Sequence, residues 1–463
     1  MLFTEPRFFL FFALVFAVCW GIPRLGMRKL WLLAASYAFY AAWDWRFLSL
    51  IILSSAIDYG VGRILDRPDA RFGRRFWLVL SLVTNLSILG VFKYLNFFIS
   101  STESMLLAFG VEPGNRTLAL VLPIGISFYT FQSMSYSIDI YRRHIRAVRS
   151  PMDFALFVGF FPGLVAGPIV RAGSFLPQLR VKQRFSEIPF RACFGLFLVG
   201  FIKKTCIADN IGLIVDQVYG APGEYSSASV VLATVFFAIQ LYCDFSGYSD
   251  MAIAIARLLG FELPRNFAFP YFAPNPVEFW RRWHISLTTW IRDYLYIPLG
   301  GNRGPVWFNV RNLMIAMVLA GLWHGAAWTY VIWGAMHGAL LSVGIWLRRR
   351  HPGALATMPA ALGTILMFAF WTFSMLFFRA ENLGDAMTLL ASLFDGGAQT
   401  IKAAYALWLL PLGLAHWLSY RGTFSTQIRQ LPDWVYALGY AVIAVHAFAF
   451  VPMAQRPFIY FQF

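Results

Sequence analysis

A histidine in the most apolar part of the sequence is the first candidate for chemistry. His324 lies within Leu319–Trp328, and no charged residue occurs for about a dozen positions on either side. Imidazole is the side chain best suited to moving a proton near neutral pH, and ionisable groups in hydrocarbon are usually functional. We therefore predict that His324 takes part in proton transfer, against the alternative of a structural histidine. His337 is a weaker case, and on one straight helix it would not share a face with His324.

A second histidine lies in a segment with the pattern of an amphipathic helix. Apolar positions recur every three or four residues and include this histidine, at Val277, Trp280, His284, Leu287 and Ile291. Arginines fall on the other faces, at Arg281, Arg282 and Arg292. The pattern predicts one continuous helix at the membrane surface. Its arginines either contact lipid phosphates or line a cytoplasmic cavity and hold an anionic cofactor.

A glycine pair follows this segment and leads into a basic residue. Gly300 and Gly301 precede Asn302 and Arg303, and such a pair can present backbone N–H groups to a phosphate. No P-loop sequence is present, so the segment taken alone predicts a turn. The sequence also lacks a G-x-S-x-G elbow, an HExxH motif and a CxxC pair, which disfavours a covalent serine enzyme and predicts that no metal is bound.

The composition indicates that a membrane positions these residues. Of the 463 residues, 59% are apolar and only 13% are charged, about half the roughly 25% of a soluble protein. This excludes a disordered chain, a coiled coil and an ordinary cytosolic enzyme. The net charge of +16 does not indicate nucleic acid, because the basic residues separate long apolar runs. Basic loops between apolar spans are typical of a polytopic membrane protein.

The basic loops also orient the spans. Arg24, Arg28 and Lys29 follow the first apolar run, which places the N-terminus outside, and the C-terminus is likewise expected outside. The short segment 154–170 is interrupted by Pro162 and Pro168 between two basic loops, which favours a re-entrant element beside a cavity open to the cytoplasm. Helix 228–247 should be followed by a cytoplasmic or interfacial region to about residue 311, and 312–346 should form a hairpin or a second deep excursion.

These spans add up to about a dozen membrane elements. We predict an all-α polytopic membrane protein with residues 1–463 in a single domain, without a soluble domain or a linker. No internal repeat is visible, which weakens a transporter built from inverted halves.

Several motifs around the candidate residues resemble those of the membrane-bound O-acyltransferase (MBOAT) family. They are Phe279–Leu287, Asp293–Tyr296, Gly300–Arg303 and Leu322–Gly325. Three more stretches are similar to the bacterial branch that acetylates alginate, cellulose or peptidoglycan, or D-alanylates teichoic acid: Gln240–Ala252, Phe160–Pro162 and Ala166–Pro168. The resemblance is dense over residues 123–338 and slight after Arg350.

The resemblance implies an irregular ring of helices around a thin centre crossed by a tunnel. It implies that His324 is catalytic and that His284 assists. Our hypothesis is that His324 acts as a general base on an acceptor hydroxyl, and a covalent acetyl intermediate is the alternative. The expected acyl donor is acetyl-CoA, with its phosphates near Arg281, Arg282 and Arg303 and with Trp280 and Asn302 in the same binding site. The acetyl group would pass to an extracytoplasmic partner of SGNH-hydrolase type and then to a polysaccharide. The expected location is the bacterial inner membrane, with lipid around the ring.

Two alternatives remain open at the level of sequence. D-alanyl transfer to teichoic acid from a carrier protein would need a docking face at the cytoplasmic mouth. A transporter or channel would use the histidines as a proton relay. For acetyl transfer, the acceptor polymer is an alginate-like exopolysaccharide, cellulose or peptidoglycan.

Overall fold

The structure, a computed structural model, describes residues 1–69, 71–112, 114, 117–164, 167–350, 358–423, 428, 430–452 and 456–461. In this part of the chain the regular structure is helical, apart from a single bridge between Tyr225 and Gln399. The all-α fold class is therefore confirmed. Ala166, which belongs to one of the family-like motifs, lies outside the described residues.

The helices are numbered here in chain order. They are α1 (Pro6–Gly21), α2 (Leu25–Asp44), α3 (Leu48–Leu65), α4 (Gly73–Leu89), α5 (Leu95–Ala108), α6 (Ile126–Tyr141), α7 (Pro151–Gly159), α8 (Phe161–Leu164), α9 (Ala172–Phe175), α10 (Phe190–Phe201), α11 (Asp209–Tyr219), α12 (Ser227–Leu258), α13 (Pro276–Arg282), α14 (Ile285–Ile291), α15 (Val306–His324), α16 (Trp328–Arg350), α17 (Ala360–Arg379), α18 (Leu383–Ser392), α19 (Leu409–Arg421) and α20 (Asp433–Ala449).

Among the described residues, six helical segments are long and apolar enough to cross a membrane. They are Leu25–Leu65, Gly73–Ala108, Ser227–Leu258, Val306–His324, Trp328–Arg350 and Ala360–Arg379. Two shorter apolar helices, α1 and α20, accompany them. Many large apolar side chains on α4, α5, α19 and α20 are exposed, as expected of surfaces that face lipid. The chain is thus a multi-pass membrane protein.

Helix α12 is longer than the sequence pattern suggested. It runs past the expected end at Gly247 and stops at Leu258. The polar residues that appeared to end the span are buried inside the protein and bonded there: Asp244 accepts from the backbone N–H of Ile459 at 2.7 Å, and Ser249 accepts from Asn266 Nδ2 at 2.9 Å. The helix therefore continues into the region expected to be cytoplasmic or interfacial, and Ser249 has a protein partner there.

The predicted continuous amphipathic helix is also wrong. The chain forms two short helices, α13 and α14, and bends between them at Trp283 and His284. The bend is fixed by a distant segment: Ala268 N–H donates to the Arg282 carbonyl at 3.0 Å, and Ile285 N–H donates to the Asn266 carbonyl at 2.8 Å. These bonds replace the hydrogen bonds of a continuous helix. The apolar side chains keep their helical spacing in the sequence although the helix itself is interrupted.

The interruption predicted within 154–170 and the hairpin predicted for 312–346 are both present. Helix α7 ends at Gly159, α8 covers one turn, and residues 167–171 continue without a helix, so the predicted interruption is present. Helices α15 and α16 form the predicted hairpin. Their backbones touch: a Cβ atom on Gly321 would lie 2.2 Å from the Tyr330 carbonyl oxygen, and one on Gly334 would lie 2.4 Å from that of Met317.

Three wide helical turns, with i to i+5 bonding, occur among the described residues. They are Gly90–Tyr94, Ile202–Ala208 and Arg292–Tyr296. Each carries charged residues, and such turns are frequent at functional sites. In the second turn Lys204 is only 1% exposed and lies 2.7 Å from both Asp209 and Asp244. This lysine is therefore accommodated within an apolar segment by its contacts with buried carboxylates.

Candidate active site

His324 is the last residue of α15 and is 3% exposed. Its Nδ1 is buried and has no hydrogen-bond partner in the described part of the chain. The ring packs edge-on against Trp333, with centroids 5.2 Å apart, and against Phe378 at 5.3 Å. The side chain also lines a cavity of about 840 Å³. A buried imidazole with a free ring nitrogen beside a cavity can take a proton from a bound ligand.

His284 lies at the break between α13 and α14 in a left-handed conformation, with φ of 41° and ψ of 55°. Its side chain is fully buried, and neither ring nitrogen has a partner among the described residues. The rings of His284 and His324 are 6.5 Å apart, centroid to centroid. The structure thus brings the two predicted catalytic residues together, although they come from different helices.

Asn266 holds the turn that carries His284. Its side-chain oxygen accepts from Ser286 Oγ at 2.6 Å, and its amide donates to Ser249 Oγ at 2.9 Å. Ser286 Oγ in turn accepts from the backbone N–H of Ile169 at 3.0 Å. A non-glycine residue with positive φ costs free energy and persists only where its surroundings enforce it. This network supplies that constraint and joins three distant segments at the site.

The predicted donor-binding residues divide into two groups. Trp280, Arg281 and Asn302 line the same cavity as His324. Arg282 does not line it and lies 3.7 Å from Glu278. Arg303 is exposed and is also absent from the lining.

The cavity has two further cations: Arg292, for which the amphipathic pattern already offered a cavity-lining role, and Arg348, which the sequence analysis did not assign to it. Arg292 and Arg348 both line it. Arg292 is bonded to Asp293 at 2.8 Å, whereas Arg348 donates to the Gly344 carbonyl at 3.1 Å. Arg348 belongs to the basic run that ends α16. Nothing in the sequence of this run indicates that it approaches the cavity. Together with Arg281, these residues make the outer part of the cavity basic.

His337 lies close to the site but outside the cavity. It is fully buried, its Nε2 is 3.1 Å from Ser374 Oγ, and its ring is 5.2 Å from that of Trp280. It is not among the residues that line the cavity. This arrangement suits a residue that supports Trp280.

Two residues that the sequence analysis did not identify, Tyr460 and Lys93, also contact His324. Tyr460 packs 5.5 Å from the His324 ring and 4.8 Å from Phe245. Lys93 donates from Nζ to the carbonyl oxygens of Trp323 and His324, at 2.6 and 3.0 Å. The rule that singled out His324, an ionisable side chain within an apolar span, would also have found Lys93. Nothing in the sequence near Tyr460 indicates its position.

A second, much smaller cavity is lined by Trp323, the residue that precedes His324 in the chain. Its volume is about 40 Å³, and Lys93, Ser127, Phe128, Trp323 and Tyr460 are among the residues that line it. His324 is absent from its lining and Trp323 is absent from that of the large cavity. The adjacent residues Trp323 and His324 therefore line different cavities.

Residues 140–384 match the sequence model of the membrane-bound O-acyltransferase family. This stretch contains both catalytic candidates and the residues of the cavity mouth. The chain belongs to the membrane-bound O-acyltransferase family. It is accordingly an O-acyltransferase, and the resemblance found in its motifs is confirmed.

Relatives with described activities cover most of the chain. The probable alginate O-acetylase AlgI of Azotobacter vinelandii is 40% identical over 417 residues, which are 90% of this chain and 82% of the relative. The peptidoglycan O-acetyltransferase of Helicobacter pylori is 37% identical and covers 78% of this chain and 73% of its own. The teichoic acid D-alanyltransferase of Streptococcus thermophilus is 30% identical over 52% of this chain and 61% of its own.

Proposed function

We propose that this O-acyltransferase moves an acetyl group from acetyl-CoA, bound in the large cavity, towards an extracytoplasmic polysaccharide. The observation that carries the proposal is the pair of buried imidazoles, 6.5 Å apart, one of which, His324, lines a cavity with a basic mouth. The relatives that cover most of the chain are named as O-acetylating proteins of alginate and peptidoglycan, which supports acetyl as the group and a polysaccharide as the final acceptor.

The lining of the large cavity suits acetyl-CoA. Arg281, Arg292 and Arg348 offer charged hydrogen-bond donors to phosphates at the mouth, and Asn302 and the indole of Trp280 lie beside them. The wall between the mouth and His324 is mainly apolar and includes Met317 and Ala320. A pantetheine arm could extend along this wall and place its thioester next to the histidines.

The chemistry follows from the positions of the two imidazoles. His324 takes the proton of the acceptor hydroxyl while the hydroxyl oxygen attacks the thioester carbonyl carbon. The tetrahedral intermediate collapses, the carbon–sulfur bond breaks, and the proton passes to the departing thiolate of coenzyme A. His284 orients the thioester or its leaving sulfur. Burial of both rings keeps bulk water away, which protects the thioester from hydrolysis.

The route across the membrane completes the proposal. The basic loops orient the large cavity towards the cytoplasm of a bacterial inner membrane, with both termini outside. The acceptor side then faces the compartment in which exopolysaccharide or peptidoglycan lies. An SGNH-type partner there would receive the acetyl group and pass it to the polymer.

D-alanyl transfer from a carrier protein is the second candidate. The teichoic acid D-alanyltransferase relatives support it, but they cover about half of this chain. The O-acetylating relatives are more similar and cover more, which favours acetyl transfer. Family membership favours acyl transfer over the transporter alternative.

The first prediction tests His324 directly. Membranes from cells that carry the full chain and its native polysaccharide are supplied with radiolabelled acetyl-CoA, and label in the polymer is counted. Replacing a general base costs about 10²–10⁴-fold in rate, so His324→Ala should reduce transfer by at least the lower value. His446→Ala, at an exposed histidine on α20, is the matched control and should transfer normally. A folded His324→Ala protein with full activity would remove His324 from the mechanism.

A further inference from the structure

The end of α15 receives donors from the wide turn Gly90–Tyr94. Tyr94 Oη donates to the Leu322 carbonyl at 2.8 Å, and Lys93 Nζ donates to the carbonyls of Trp323 and His324. The last carbonyls of a helix have no partner within the helix. A cation at this end also complements the negative pole of the helix dipole. The backbone of the predicted catalytic base is therefore held from outside its own helix.

Capping alone does not explain why one of these donors is charged. Tyr94 satisfies a neighbouring carbonyl with a neutral hydroxyl. No carboxylate among the described residues forms an ion pair with Lys93, whose other charge contact is the Trp323 ring, with Nζ 5.9 Å from the centroid. An unpaired cation within an apolar span is costly and usually functional. The wide turn, which adds a residue to one helical turn, directs this side chain inward.

Lys93 also borders the small cavity. It lines this space with Ser127, Phe128 and Trp323, whereas His324, the next residue in the chain, lines the large cavity. An ammonium group has three N–H donors, and two of those on Lys93 point to the carbonyls of Trp323 and His324. One donor is left for an oxygen atom that enters the small cavity.

We propose that Lys93 binds the hydroxyl oxygen of the acceptor in the small cavity and positions His324 at the boundary between the two cavities. This inference rests on the proposed function, in which His324 is the base and the donor lies in the large cavity. A charged donor on the hydroxyl oxygen stabilises the negative charge that develops as the proton leaves. The bonds to the Trp323 and His324 carbonyls fix the ring that removes that proton.

Lys93→Met and Tyr94→Phe are the matched pair that tests this role. Each removes a donor to the end of α15, but only Lys93→Met removes the charge and the contact with the small cavity. In the radiolabel assay, Lys93→Met should lower transfer to the polymer about 100-fold, the scale of a misplaced catalytic group. Its KM for acetyl-CoA should not change, because the large cavity is intact. Tyr94→Phe should transfer almost normally, and Lys93→Arg should restore part of the activity.

Several outcomes would overturn the inference. Lys93→Met transferring as well as Tyr94→Phe would leave Lys93 a structural cap, and a raised KM for acetyl-CoA would place its effect on the donor side. If Lys93→Met does not accumulate in membranes, Lys93→Gln keeps two N–H donors without the charge, and normal transfer by it would contradict a role for the charge. His324→Ala is assayed in parallel: if it is inactive while Lys93→Met is normal, only this inference falls, whereas an active His324→Ala removes the proposed function itself.

Discussion

His284 combines a buried imidazole with a backbone conformation that L-residues avoid. Its φ of 41° places it in the left-handed region, which costs roughly 1–2 kcal/mol for a residue with a Cβ atom. Asn266 accepts hydrogen bonds from the Ser286 hydroxyl and from the Ile285 backbone N–H, and these bonds enforce this conformation. At this position the backbone and the side chain can therefore be tested separately.

The prediction compares His284→Gly with His284→Ala. Both remove the imidazole and should lose acetyl transfer to a similar extent. Only glycine adopts the left-handed conformation without strain, so His284→Gly should be more stable than His284→Ala by about 1 kcal/mol. Thermal unfolding in detergent measures the difference. Equal stability of the two variants would mean that the turn relaxes when the ring is absent.

Individual site residues could be predicted from sequence where an ionisable side chain lies in an apolar run, since its burial there costs free energy. His324 stands out because nothing charged lies near it in the chain. Tyr460 could not be found, because its place beside His324 depends on the bond from the Ile459 N–H to Asp244, a residue 215 positions away in sequence. The division between Arg281, which lines the cavity, and Arg282, which does not, depends on the rotation of a helix of seven residues.

At the scale of elements, the α15–α16 hairpin determines where His324 lies. Gly321 and Gly334 allow the two backbones to touch one turn before His324. The Cβ contact at Gly334 would be with main-chain atoms of Met317 and Val318, which cannot rotate away. The helices would have to separate to admit a larger residue.

Gly334→Ala should therefore destabilise the protein by about 1–3 kcal/mol, the usual cost of overpacking, and lower acetyl transfer by moving His324. Gly344→Ala on the same helix is the control, because nothing lies within 4 Å of the added Cβ. It should be neutral or stabilise α16 by roughly 0.5–1 kcal/mol. Thermal inactivation of both variants is the measurement, and equal behaviour would contradict close packing at Gly334.

Element predictions succeeded where the signal was local. The apolar run 312–346 predicted the α15–α16 hairpin, and Pro162 and Pro168 predicted the interruption after α7. The break between α13 and α14 was missed because the apolar face continues through it, and the bonds that cause it come from residues 266–268. The extension of α12 was missed for a related reason, since its buried polar residues are bonded to segments far away in sequence.

At the scale of the whole molecule, the charge distribution predicts one orientation. The loop between α3 and α4 is basic, with Arg67 and Arg71 between Arg63 and Arg74, whereas the loop after α5 is not. The positive-inside bias places the first loop in the cytoplasm and the second outside.

Sandwich insertions of alkaline phosphatase would test this orientation. The enzyme needs disulfides and is active only outside the cytoplasm. Inserted after Asp69 it should be inactive, and inserted after Gly110 it should be active, with membrane accumulation of the full chain verified for both. The reverse pattern would mean that the protein has the opposite orientation in the membrane. The large cavity would then not lie on the cytoplasmic side.

The aromatic boundary around Trp323 also has an electrical consequence. The Trp323 ring lies 5.4 Å from Phe128, 5.7 Å from Phe131 and 6.3 Å from Tyr460, centroid to centroid. A hydrated ion would have to lose its water to pass such a constriction, which resists conduction as hydrophobic gates do. In the proposed transfer, a two-carbon group would pass this constriction while the membrane keeps its ion gradients and the cell retains its coenzyme A.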